Sequence, residues 1–474
     1  MFTLNEIHKV HLVGIGGTAM AALAAMLQEK GLEVTGSDHG IYPPMSDFLS
    51  SKGIPVREGY GPQNLDEDVD LVIIGNALSR GNEEVEAVLD RGTPYCSLPE
   101  ALRDWFIQGK RSLVIAGTHG KTTTTSLLSW ILYESGRDPS FFVGGIPKNF
   151  ASGFRLGSGL DIVLEGDEYD TAFFDKRPKF LHYLPRVVTL GSLEFDHADI
   201  YQDMEAIIRA FRALFRILPR NGRFIIHTAD PHVLQLAEEA PCQVITCSLH
   251  GGEANWHAEE LRIEDGRVFF RVTHMGQEVG ECDWILPGSH NLANALLAVA
   301  TAHETGVPLE TSLRALRTFK GVSRRLEMLG TFRGVTVYDD FAHHPTAIHA
   351  TLEALRELYP HRTLWAVCEP RSNTMCRRVF QDVLPMAFNP ADRVLIGSVH
   401  PSRAAKLPEG ERLDPDAVAA EIRALGKDAW HIPQVSEILE HLKEKAREGD
   451  IICIMSNGDF DGIQQRLKEK LSVK

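Results

Sequence analysis

No run of about 18 apolar residues occurs anywhere in the 474-residue chain, which excludes a helical membrane span. Cysteine is scarce: Cys96, Cys242, Cys247, Cys282, Cys368, Cys376 and Cys453 never form a CxxC pair, and their number is odd. That argues against a disulfide framework or a zinc ribbon and fits the reduced thiols of a cytoplasmic protein. Positive charge is also short, with 49 Lys and Arg against 64 Asp and Glu and a formal net charge of −15. An acidic chain of this kind is a poor electrostatic partner for nucleic acid. The N-terminus has an apolar, helix-like stretch after a Gly-rich turn, but it lacks the basic region and small-residue cleavage site of a signal peptide.

What is present is ordinary for globular protein, 43% hydrophobic and 24% charged. At roughly 150 residues per domain the length suggests about three domains. Strand signals at 8–14, 32–36 and 70–75 alternate with a helix at 18–30, the pattern of a parallel βαβ sheet. The pattern restarts near residue 110, with strands at 113–116, 161–164 and 186–190 and a helix at 122–135. Period-2 stretches between 222 and 286, such as 267–272 and 282–286, predict antiparallel strands, followed by a helix at 291–302. A third restart near 321 brings strands at 335–338, 363–367, 393–396 and 451–455 and a helix at 346–358. The expected fold is α/β in three domains: a Rossmann-like unit over 1–109, a P-loop ATPase-like unit with added antiparallel strands over 110–320, and a Rossmann-like unit over 321–474.

Five clusters carry chemistry. Gly14, Gly16, Gly17 and Thr18 follow a strand and open a helix, and Asp38 follows a second strand, as in a dinucleotide fingerprint. That loop alone leaves open an NAD-dependent oxidoreductase, another nucleotide diphosphate, or a bare tight turn. Gly117-Thr118-His119-Gly120-Lys121-Thr122-Thr123 sits between a strand and a helix, where backbone N–H groups cradle phosphates, Lys121 offsets their charge and Thr122 offers a hydroxyl to Mg²⁺. It is shorter than a general P-loop, with Ile115 where the leading glycine would stand. Glu165 ends the next strand and begins Glu165-Gly166-Asp167-Glu168-Tyr169-Asp170, a hard oxygen donor at a strand's C-terminal edge. His197 follows another strand end, within Glu194-Phe195-Asp196-His197. His290, Asn291 and Asn294 open a helix, as N-caps or as purine readers. In the third unit Arg324-Arg325, Asp339-Asp340-Phe341-Ala342-His343-His344, Glu369-Pro370-Arg371-Ser372-Asn373-Thr374 and Ser456-Asn457-Gly458 suggest one pocket facing the phosphate loop, with Arg371 suited to a carboxylate.

Taken together, these motifs resemble the Mur ligase family of ATP-dependent amide-forming enzymes, along essentially the whole chain. Tyr42-Pro43-Pro44-Met45, Ile74-Gly75-Asn76-Ala77, Phe173-Phe174-Asp175-Lys176-Arg177 and Glu369-Pro370-Arg371-Ser372-Asn373-Thr374-Met375 are similar to the murein-peptide branch. The resemblance implies that UDP-N-acetylmuramate is joined to the murein tripeptide L-alanyl-γ-D-glutamyl-meso-diaminopimelate through an acyl phosphate, with ATP and Mg²⁺. The branch that adds free L-alanine is the alternative. The resemblance also implies roles: Lys121, Glu165, His197 and His343 in catalysis, and Thr122, Glu165 and His197 at the metal. It gives Gly117, Thr118, His119, Gly120, Lys121, Thr122, Thr123, Asn294, Arg325 and Asp340 to ATP. Gly14, Gly16, Gly17, Thr18, Ser37, Asp38 and Asn76 go to the UDP-sugar, and Arg371, Asn373 and Asn457 to the peptide. One departure stands: several relatives carry a carbamylated lysine after the metal-binding histidine, but residues 198–215 contain no lysine here.

Overall fold

The computed structural model describes residues 6–42, 45–249 and 251–472, and leaves Pro43 and Pro44 outside them. The first sheet has five parallel strands in the order Val56–Glu58, Glu33–Asp38, Lys9–Val13, Leu71–Ile74, Tyr95–Ser97. The order reverses beside Lys9–Val13, so the crevice of this sheet opens at residues 14–17. The helix Thr18–Glu29 behind it keeps Met20 to Leu27 buried without interruption, which explains its Ala-rich composition. It packs between neighbours rather than at a surface.

The central sheet has ten strands, and seven neighbouring strands pair parallel, from Trp256–Glu264 through Gln243–Ser248, Arg223–His227, Val187–Leu190, Arg111–Ala116 and Asp161–Gly166 to Ser140–Phe142. This corrects the expectation of antiparallel strands throughout 222–286. Arg223–His227 and Gln243–Ser248 extend the parallel sheet, and only Trp256–Glu264, Arg267–His274 and Gln277–Trp284 form an antiparallel meander. The reason is burial: Phe224, Ile225 and Ile226 are a continuous buried run, as a strand covered on both faces requires. The meander instead alternates, with Val268, Phe270 and Val272 inward. Its last strand stops at Trp284, short of the expected 286.

The third sheet orders Glu327–Phe332, Val335–Asp340, Ile451–Met455, Leu364–Cys368, Arg393–Ile396 and Asp428–His431, all parallel except the first. The helix Pro345–Leu358 follows Val335–Asp340, with Pro345 at its first position and the His344 side chain accepting from the Thr346 N–H as N-cap. Among the described residues no helix is long and apolar enough to cross a membrane.

Candidate functional site

Each sheet ends its strands on one shared cavity of about 680 Å³. Ala19, Met20 and Asn76 wall it from the first unit, residues 118–123 from the second, and His343, Asn373 and Asn457 from the third.

The strand Arg111–Ala116 delivers the phosphate loop, and the helix begins at Lys121, one residue earlier than expected. The glycines are required there. Gly120 has φ +78°, and a Cβ would lie 2.2 Å from Asn294 Oδ1; Gly117 has φ +122°, with a Cβ 2.9 Å from the Ser192 carbonyl oxygen. The Thr118 N–H donates to that same carbonyl at 2.8 Å, and Asn294 Oδ1 accepts from Thr124 at 3.1 Å.

Lys121 Nζ donates to the Gly117 carbonyl at 2.6 Å and to both Glu168 carboxylate oxygens at 3.1 and 2.9 Å. Glu168 Oε1 also lies 3.0 Å from His197 Nε2. Burial opposes charge on all three groups, but the carboxylate between the two cations outweighs it: Lys121 and His197 are held above their ordinary values and Glu168 below. Glu168 sits in the acidic motif, yet sequence reasoning gave it no role. Its signal was the three-residue step from Glu165, which returns a second carboxylate to the loop.

Thr122 and Glu165 meet as expected. The Thr122 hydroxyl donates to Glu165 Oε1 at 2.8 Å and accepts from Arg325 Nη2 at 3.1 Å, while Glu165 Oε2 takes the Gly144 N–H at 2.8 Å. Hydroxyl and carboxylate together make an oxygen-only donor set that fits Mg²⁺. His197 is placed differently from the metal-ligand expectation: its Nε2 faces Glu168, and it belongs to no group of three metal-type ligands among the described residues. Asp340 lines the cavity and also holds backbone, accepting from Leu326 N at 2.6 Å and Ala342 N at 2.7 Å, which fixes the turn carrying Arg325.

His343 is a half-buried, neutral base. Its Nδ1–H donates to the Phe341 carbonyl at 2.8 Å, leaving Nε2 with a lone pair 3.8 Å from Asp196 Oδ2. Burial pushes the imidazole down to about 4. Asp196 is held well below the carboxylate range against the cost of its burial, by the charge of His197 and by a hydrogen bond from Thr374 at 2.6 Å. Asp196 and Thr374, missed as functional residues, come from loops 178 positions apart and share no sequence signal.

The remaining expectations divide. Asn373 lines the cavity and donates to Asp199 Oδ2 at 2.6 Å, and Asn457 lines it with a buried Oδ1 that has no partner. Arg371 does not line it; the guanidinium is bound to Asp459 Oδ1 at 2.6 Å, with Glu369 at 3.6 Å. In the first unit the Ser37 hydroxyl is fully buried and donates to Glu84 Oε1 at 2.8 Å, so it faces the core rather than a ligand. Asp38 Oδ2 accepts the Gly16 N–H at 2.7 Å, and Oδ1 accepts from Tyr60 at 2.7 Å. Gly14, Gly17 and Thr18 make the turn beside it, outside the cavity wall that Asn76 joins.

Residues 9–109 match the Mur ligase family catalytic domain, residues 115–302 the Mur ligase middle domain, and residues 324–458 the Mur ligase glutamate ligase domain. The chain is 42% identical over 471 residues to the UDP-N-acetylmuramate–L-alanyl-γ-D-glutamyl-meso-2,6-diaminoheptandioate ligase of Escherichia coli K12, covering 98% of this chain and 99% of the relative. A UDP-N-acetylmuramate–L-alanine ligase of Acetivibrio thermocellus is 33% identical, covering 99% and 97%. Among solved structures, a murein peptide ligase of Psychrobacter arcticus superposes with a TM-score of 0.73 at 36% identity, covering 98% and 99%.

Proposed function

The chain belongs to the Mur ligase family, and from that premise we propose that it joins UDP-N-acetylmuramate to the tripeptide L-alanyl-γ-D-glutamyl-meso-diaminopimelate with ATP, in the cytoplasm, as part of peptidoglycan recycling. The reading over 1–109, 110–320 and 321–474 is one unit each for the sugar nucleotide, ATP and the amine. The observation that carries it is the meeting of a phosphate loop, an oxygen donor pair and a neutral imidazole on one cavity walled from all three units.

A carboxylate is a poor electrophile, so the muramyl acid first takes the γ-phosphoryl group of ATP, releasing ADP and leaving an acyl phosphate. Thr122 and Glu165 would hold Mg²⁺, which when bound offsets charge between the phosphates. The loop N–H groups, Lys121 and Arg325 orient the same oxygens. The α-amine of the tripeptide then attacks the acyl carbon and phosphate leaves. The amine must shed a proton as the C–N bond forms. His343 Nε2 is the acceptor, and Asp196 at 3.8 Å stabilises the imidazolium that results. The free Asn457 Oδ1 accepts an N–H of the incoming peptide. Arg371 contributes by fixing the 456–459 loop through Asp459 rather than by touching a carboxylate.

Tripeptide addition is preferred to L-alanine addition by the higher identity of the tripeptide-ligase relative, 42% against 33% at near-equal coverage. The test offers purified protein both amines side by side, with UDP-N-acetylmuramate and ATP–Mg²⁺, and follows ADP. Turnover with the tripeptide at far higher kcat/KM supports the reading, and preference for L-alanine reverses it.

A further inference from the structure

The phosphate loop carries a group that neither the reading above nor the oxygen donors at Thr122 explain. His119 Nε2 lies 3.1 Å from Glu194 Oε2, and the same oxygen lies 3.2 Å from His344 Nδ1. The three donor atoms all fall within 4.8 Å of one another, and the two rings sit 4.8 Å apart, inclined at 52°. His119 and Glu194 belong to the central sheet's loops and His344 to the third unit, so the cluster spans two units.

Its hydrogen bonding is incomplete in a particular way. His344 Nε2 faces the Phe195 carbonyl at 3.3 Å, and a carbonyl can only accept, so Nε2 carries the proton. Nδ1 then has the lone pair, consistent with the Thr346 N–H donating to it at 3.3 Å. A second acceptor, Glu194 Oε2, confronts that lone pair at 3.2 Å. Two acceptors at this distance repel unless a cation lies between them.

The geometry points to a site for a borderline transition-metal dication of the zinc class, held by His119 Nε2, Glu194 Oε2 and His344 Nδ1 and bridging two units. Two imidazoles and one carboxylate are a familiar zinc donor set, with bonds of about 2.0–2.2 Å and a fourth position left for solvent or substrate. Ligands at those lengths around a tetrahedron stand roughly 3.3–3.5 Å apart, close to the 3.1 and 3.2 Å edges already present. The fourth position faces the cavity, which His119 and Glu194 line. The imidazoles separate this site from the Thr122–Glu165 pair, whose oxygen-only donors favour Mg²⁺. An ion here ties residues 117–120 to the first turn of Pro345–Leu358.

The test uses Co²⁺ as a spectroscopic stand-in for zinc, added to the chelator-treated full chain in millimolar Mg²⁺. The expected result is saturable binding with the intense visible bands of tetrahedral Co²⁺, displaced by Zn²⁺. His344→Asn keeps an N-cap of the helix and removes the ligand; it should weaken binding at least about tenfold, as should Glu194→Gln. His197→Gln should leave binding intact. Binding unchanged in both His344→Asn and Glu194→Gln, or lost in His197→Gln alone, places the ion elsewhere and overturns the proposal, as does a weak octahedral spectrum in the parent chain. Near-ultraviolet circular dichroism confirms that each variant is folded.

Discussion

His343 Nε2 points at Asp196 Oδ2 across 3.8 Å while its Nδ1 is fixed by the Phe341 carbonyl at 2.8 Å. One ring nitrogen is thereby committed to backbone, and the other is free to take a proton next to an anion. His343→Gln, which keeps a polar group but not a base, should lower kcat by about 10²- to 10⁴-fold with KM for ATP nearly unchanged. Asp196→Asn should give a smaller loss. A His343→Gln variant with parental kcat removes the imidazole from the mechanism.

Removing Lys121 strikes both chemistry and fold. Its Nζ neutralises Glu168, whose side chain is 3% exposed. Lys121→Ala should abolish turnover and destabilise the protein by about 1.5–3 kcal/mol, the worth of a hydrogen bond to a charged group, since Glu168 keeps His197 as its remaining cationic partner. The double variant Lys121→Ala/Glu168→Gln should recover much of the stability and none of the turnover. Denaturant unfolding of both proteins, alongside ADP release, separates the two effects.

Acid should weaken the fold in a defined window. His290, His343 and His344 are each pushed by burial to about 4. Between about pH 6.5 and 4 the unfolded chain binds protons at these positions and the folded chain does not, so stability falls as pH is lowered through that range. Each group contributes on the order of 1 kcal/mol per pH unit. Thermal unfolding from pH 7 to 5 should show the slope, and His343→Gln should flatten it. A Tm independent of pH across that interval contradicts the buried neutral state of these rings.

At the first unit, a Cβ on Gly16 would sit 2.8 Å from Asp38 Oδ2 and 2.9 Å from an Ile41 side-chain carbon. Gly16→Ala should raise KM for UDP-N-acetylmuramate severalfold and leave KM for ATP alone. If ATP affinity falls instead, the division of ligands between the units is wrong. Neither protein should bind NAD, whose capture by the parent chain would favour the oxidoreductase reading of this loop.

The phosphate loop was legible because its glycines, lysine and threonine occupy consecutive positions whose conformational and chemical demands are local. The three restarts of strand and helix were legible for the same reason. Strand direction in 223–248 was not, since a strand buried on both faces looks like its antiparallel neighbours until its partners are known. Side-chain partnerships across the chain were harder still. Arg371 has the right chemistry for a carboxylate, but Asp459 satisfies it from 88 positions away. Ser37 stands beside a ligand loop, yet Glu84 draws its hydroxyl inward. Glu194 and His344 meet only because two sheets end on the same cavity. No spacing rule reports a meeting between residues 150 positions apart.

The carboxylate of Asp38 already occupies the Gly16 N–H, one of the donors a diphosphate would seek at that turn. On the proposed reading, a sugar nucleotide binding there must displace that carboxylate. Hydrogen bonds to a charged acceptor are worth about 1.5–3 kcal/mol, so the new anion must exceed that sum before any net affinity is gained. The same contact holds the turn in shape.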